Sequence, residues 1–86
     1  MFDYRWLETV LDKLAAVYVS LDVPQQNRVA AGVERFNARL AADPLDLGES
    51  RGGGYRVAFI PLLMVTFHVH EAARRVRVTD VTRFGR

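Results

Sequence analysis

The sequence predicts an α+β fold in the order β–α–α–β–β–β: a short N-terminal strand, an antiparallel helical hairpin and a three-stranded antiparallel meander. Three observations predict it. Apolar residues recur at helical spacing through the first half of the chain. They alternate with polar residues through the second half, and a glycine-rich stretch separates the two. The 86 residues allow one core, so residues 1–86 are read as a single domain.

The elements follow in order. Phe2, Tyr4 and Trp6 alternate with Asp3 and Arg5, the period of a half-buried strand. From Leu7 the period lengthens: Leu7, Val10, Leu11, Leu14, Val17, Tyr18 and Leu21 fall on one helical face, with Glu8, Asp12 and Lys13 between them. Asp22 suits an N-cap, and Pro24 is tolerated in a first helical turn. Val29, Val33, Phe36 and Leu40 then form the buried stripe of a second helix. The small residues Ala30, Ala31, Gly32 and Ala38 are expected to let it pack closely on the first. Asp43-Pro44 ends it, because the residue before proline disfavours the α region.

Residues 45–54, with Gly48 and the run Gly52-Gly53-Gly54, are expected to be loop. Strand alternation begins at Tyr55, turns at Pro61-Leu62, resumes at Leu63, turns again between Glu71 and Arg74, and ends through Val76 and Val78. Alternation assigns Tyr55, Val57, Phe59, Leu63, Val65, Phe67, Val69, Val76 and Val78 to a face buried under the helices. The opposite face then displays Arg56, Thr66, His68, His70, Arg75 and Arg77, and extends to Arg83. That face is the expected functional surface.

Composition narrows the chemistry. There are no cysteines, so disulfides and thiolate metal sites are excluded. No stretch reads as a signal peptide or membrane span, since the longest apolar run, Val57 to Val65, holds Pro61 and is too short. A cytoplasmic protein without membrane association is expected. Residues 1–50 carry eight acids against five bases, and residues 51–86 carry seven arginines against Glu71 and Asp80, so the halves hold −3 and +5. An arginine-only basic half suits phosphates or an acidic partner, because guanidinium pairs bidentately with either; solvated strand edges are the plainer reading. His68 and His70 stand at i,i+2 with no clustered third ligand, so no metal and no other cofactor are expected. The glycine run lacks the Lys-Ser/Thr ending of a phosphate-binding loop, and Ser20 and Ser50 have no His/Asp partnership for nucleophilic hydrolysis.

Several short motifs in this order resemble the RelE/ParE toxin superfamily of plasmid stabilisation and toxin–antitoxin systems. They are Leu40-Ala41-Ala42-Asp43-Pro44 closing the second helix, Leu47-Gly48-Glu49-Ser50-Arg51, Gly54-Tyr55-Arg56-Val57 opening a strand, and the ending Val78 to Arg83. The resemblance implies a growth-inhibiting toxin neutralised by a cognate protein antitoxin. RelE-like members cleave messenger RNA on the ribosome without a metal, ParE-like members inhibit DNA gyrase, and a degenerate member would only bind a partner. Arg56 matches the arginine of the Gly-Tyr-Arg motif, and Arg83 resembles the arginine ending the last strand.

The resemblance implies Arg56 and Arg83 as catalytic residues, and imidazole chemistry adds His68 as an in-sheet general base, with a histidine satisfied on the sheet face as the plainer reading. For Arg56, an anchor for phosphate or an antitoxin carboxylate and a salt bridge to Glu49 are alternatives. Arg51, Arg75 and Arg77 are candidates for binding nucleic acid or a partner. The chain departs from the RNase members at Gly48 to Gly53, where they carry a lysine-rich strand. Their C-terminal extension with a catalytic tyrosine or histidine is also expected to be missing. Whether it is an enzyme is therefore left open by the sequence, and the Gly-Glu-Ser-Arg link looks nearer to ParE-like members.

Overall fold

The computed structural model describes residues 1–85. The chain runs through β1 (Asp3–Trp6), α1 (Glu8–Val19), α2 (Val23–Ala42), a 3-10 turn (Pro44–Asp46), β2 (Glu49–Gly52), β3 (Tyr55–Ile60), β4 (Leu63–His70) and β5 (Arg75–Arg83). The strands form one sheet in the order β1-β5-β4-β3-β2. The expected α+β architecture is present, with one strand more than alternation indicates. Glu49–Gly52, expected as loop, pairs antiparallel with β3. Its four residues are all exposed and carry no apolar alternation, so period two leaves no trace in them.

Local chemistry sets the helix ends. The Asp22 carboxylate accepts the Gln25 N–H at 2.8 Å while Gln25 Oε1 accepts the Asp22 N–H at 3.1 Å. This capping box, with Pro24 in the first turn, stabilises the start of α2 by about 1 kcal/mol. Val29, Phe36 and Leu40 are buried along α2 and Val33 is half-buried. Gly32 serves a different contact from the one expected. A Cβ there would meet Pro61 Cδ at 3.0 Å, so the glycine makes room for the β3–β4 turn and not for α1.

The core joins both layers. Trp6, Phe36 and Phe67 meet edge to face, with ring centroids 6.2 and 5.6 Å apart, which ties β1, α2 and β4 together. Trp6 Nε1 donates to Asn37 Oδ1 at 2.8 Å, so the indole is buried without an orphaned N–H. β1 runs parallel to β5, and Phe2 N–H donates to Ala41 O at the end of α2.

Strand faces depend on two irregularities. Pro61-Leu62 is a two-residue turn, so each odd-numbered residue of β3 opposes an even-numbered residue of β4. Ala58 lies opposite Val65 and is 4% exposed, whereas Tyr55 and Phe59 are 43% and 55% exposed. The expected burial of Tyr55, Val57 and Phe59 is thus reversed, and Arg56 falls on the helix side, opposite Phe67. In β5 the pairing shifts between Thr66 and Phe67 of β4, leaving Thr79 as an extra residue. Val76 and Val78 point inward before the shift, and Val81 points inward after it.

Leu62 adopts φ +68° and is buried. Left-handed backbone costs a non-glycine residue about 1–2 kcal/mol, while removing a core leucine side chain costs about 2–5 kcal/mol. Burial wins. Leu62→Gly is therefore expected to destabilise the protein by about 1–3 kcal/mol in urea unfolding, despite relieving the backbone.

Lys13 pairs with Asp80 beside the irregularity in β5, and that hydrogen bond holds the Asp80 carboxyl below its ordinary range. The stabilisation is present above the unfolded carboxylate value of about 3.9 and is lost as pH falls through the lower folded value. Both side chains are about half exposed, so the pair contributes no more than about 1 kcal/mol. Asp80→Asn is expected to lower stability by that amount at pH 7 and to match the parent once the pH is below both values, in thermal melts across the acid range.

Candidate functional site

The sheet face away from the helices gathers its charges by register. Parallel pairing sets Asp3 beside Arg75 and Arg5 beside Arg77 across β1 and β5. Antiparallel pairing sets His70 beside Arg75 and His68 beside Arg77 across β4 and β5. These residues line an open groove of about 650 Å³ in which Asp3 is the one acid. Among the described residues, the ion pairs join Lys13 to Asp80, Arg39 to Asp43 and Arg51 to Glu49. None of them neutralises Arg5, Arg75 or Arg77. Three guanidinium groups on neighbouring strands repel one another unless an anion lies between them, so the groove is an attractor for phosphate or carboxylate.

His68 is held by the turn that precedes β3. Its Nε2 lies 3.1 Å from Gly53 O, and a carbonyl only accepts, so the neutral ring carries its proton on Nε2. Nδ1 is left as the basic nitrogen. The Tyr55 ring meets the imidazole edge-on at 4.8 Å between centroids. Gly54, at φ +84°, allows this arrangement: a Cβ there would stand 2.8 Å from His68 Nε2 and 2.9 Å from Val69 O. The glycine run is thus a tight turn pinned to β4 by His68 and by Val69 N–H donating to Gly54 O.

Of the six candidates read from the sequence, the structure brings together His68, Arg75 and Arg77. Arg56 is turned away. Its Nε donates to Leu47 O at 2.8 Å and its guanidinium donates to Gly48 O at 3.1 Å. The anticipated Glu49 partner is instead taken by Arg51, 3.0 Å away on edge strand β2. Arg83 lies opposite Leu63 at the far end of β5, five positions along β4 from His68, or about 17 Å. Arg5 and Asp3 are groove residues that sequence reading did not place. Alternation already put them opposite Phe2 and Trp6, but the parallel pairing of β1 with β5 joins segments some 70 residues apart and has no local mark.

No protein-family profile matches the chain, and no curated protein matches it. Its backbone is similar to the crystal structure of the isolated E. coli RelE toxin, with a TM-score of 0.65 at 12% identity, covering 100% of this chain and 87% of that chain. The fold is the RelE toxin fold. The RelE-like likeness spans both the helices and the whole sheet, so it includes every strand that lines the groove. Among the described residues, no helix is long and apolar enough to cross a membrane.

The two kinds of arginine are separable by experiment. Arg56→Ala removes two charge-assisted hydrogen bonds and is expected to cost about 1–3 kcal/mol in chemical denaturation. Arg77→Ala, which removes no ion pair among the described residues, is expected to stay within about 0.5 kcal/mol of the parent.

Proposed function

We propose that this chain is the toxin component of a type II toxin–antitoxin pair, working in the cytoplasm and held inactive by a cognate protein antitoxin. The observation that supports it is the unneutralised groove of Arg5, Arg75 and Arg77 on a sheet with the RelE toxin fold. A surface of this charge binds anions until something covers it, and a dedicated antitoxin is the covering that this fold implies. Residues 1–86 are taken as one domain, and the groove as its working surface.

One observation favours a second, finer reading, metal-independent cleavage of RNA. His68 stands opposite Arg77 in the sheet with Nε2 held at Gly53 O, and together they supply what a ribonuclease needs: a nitrogen to take the 2′-hydroxyl proton and a cation to stabilise charge on the phosphoryl oxygens. In that reading Arg75 and Arg5 hold the neighbouring phosphates. Arg56 supports the β2–β3 corner, and Arg51 and Arg83 lie outside the reacting centre. Inhibition of gyrase is the competing outcome.

Induced expression is expected to slow growth, and co-expression of the adjacent small open reading frame to restore it. The Arg75→Ala/Arg77→Ala double variant should accumulate as folded protein and leave growth unimpaired. Unimpaired growth at high levels of the folded parent would overturn the proposal. His68→Ala decides the mechanism: loss of cleavage of ribosome-bound message supports the nuclease reading, and inhibition of purified gyrase by the same variant opposes it.

A further inference from the structure

We infer that the open sheet face is a stacking platform on which the chain, without any accessory assembly, holds a single-stranded polynucleotide. This rests on the groove being the working surface, as proposed above, and it adds the class of ligand and the side chains that select it.

The register of β3 turns a column of aromatic residues toward solvent. Tyr55 is 43% exposed, Phe59 is 55% exposed, and Phe84, just past β5, is 54% exposed. Each β3 ring has a neighbour: Tyr55 rests on His68, and Phe59 lies 4.8 Å from Phe84 at 50° between planes. A folded chain gains from burying such rings, and here the helix side takes Ala58 and Ile60 instead. The rings stand next to charge. The Tyr55–His68 pair borders the groove that holds Arg75 and Arg77.

Spacing identifies the ligand. Tyr55 and Phe59 are four residues apart on one strand, about 13 Å. Bases stacked in a duplex strand rise about 3.4 Å each and keep their faces covered. Rings at this separation reach only bases splayed from an unpaired strand, whose phosphates meet the arginines at the Tyr55 end, where Arg77 lies across His68 from the ring. An apolar protein segment is better served elsewhere. The cleft between α1 and α2, lined by Leu14, Tyr18 and Val33, lies on the helix side, away from these arginines.

The test is fluorescence anisotropy with the purified full chain and labelled twelve-nucleotide RNA and DNA, each single-stranded and as a duplex. Single strands are expected to bind at least tenfold tighter than duplexes, and the two arms show which sugar is preferred. Tyr55→Ala and Phe59→Ala should each weaken single-strand binding about five- to hundredfold and leave duplex binding unchanged. Phe59→Leu keeps apolar bulk without the ring and should fall with Phe59→Ala, which separates stacking from loss of fold. Arg77→Ala should weaken both forms and reduce the salt dependence by about one phosphate contact.

Equal affinity for single strands and duplexes, or aromatic variants indistinguishable from the parent, would overturn the inference. If growth inhibition persists in that case, the toxin reading stands and only the ligand is wrong. Stacking-dependent binding by a chain that leaves growth unimpaired sinks the toxin reading and keeps the platform.

Discussion

Two residues of turn decide what each side of this sheet can do. Pro61-Leu62 joins β3 to β4 with no slack, and the pairing that follows puts Ala58 under the helices and Tyr55, Val57 and Phe59 outside. The turn is held from two directions. Leu62 accepts a left-handed backbone because its side chain is buried, and Pro61 packs close against α2 at Gly32, where a Cβ would press on it at 3.0 Å. Had the loop one more residue, every β3 side chain would change faces, and the arginine at 56 would join the histidines.

That constraint also shows how much could be read from the amino acids alone. Periods of 3.6 and 2 mark both helices, the first strand and the three long strands, and Asp22, Pro24 and Asp43-Pro44 mark helix ends through local backbone chemistry. The faces of β4 and of the first half of β5 were legible for the same reason. The face of β3 is not legible from alternation within the strand, because both of its rows hold apolar residues and only the two-residue turn sets which row lies under the helices. β2 was illegible for another reason: Glu49, Ser50, Arg51 and Gly52 are all exposed and offer no contrast between an inner and an outer side. The groove was half legible. His68, Arg75 and Arg77 share a face by local arithmetic, whereas Arg5 joins them only through a parallel pairing that tertiary packing creates.

The arginines divide into two groups by what their backbone surroundings offer. Arg56 sits where Leu47 and Gly48 present carbonyls, and it closes the corner between the 3-10 turn and the sheet. Gly48 must be glycine there, since a Cβ would fall 2.3 Å from Val57 O. Arg75 and Arg77 project from β5, paired on both sides at these positions, and Arg5 from edge strand β1; among the described residues none of the three is bound by a backbone carbonyl. Identical side chains thus serve as internal fastening in one place and as unspent charge in another. A motif match to Gly-Tyr-Arg does not distinguish the two; the register does.

The extra residue in β5 acts on a strand as a frameshift acts on a message. Up to Val78 the even positions are read inward; after Thr79 the odd ones are, and Val81 reaches the core that an unshifted strand would have denied it. Asp80 is thereby kept on the outer side, within reach of the chain's single lysine. Sequence variation along this segment is therefore not a matter of substitution alone. Loss of Thr79 itself would make the strand regular and keep Asp80 outward and Val81 inward, because Val78, Asp80 and Val81 already oppose Phe67, Thr66 and Val65 in unbroken order; regular pairing with Thr79 retained would turn Val81 out and Asp80 in while the groove half stayed in frame.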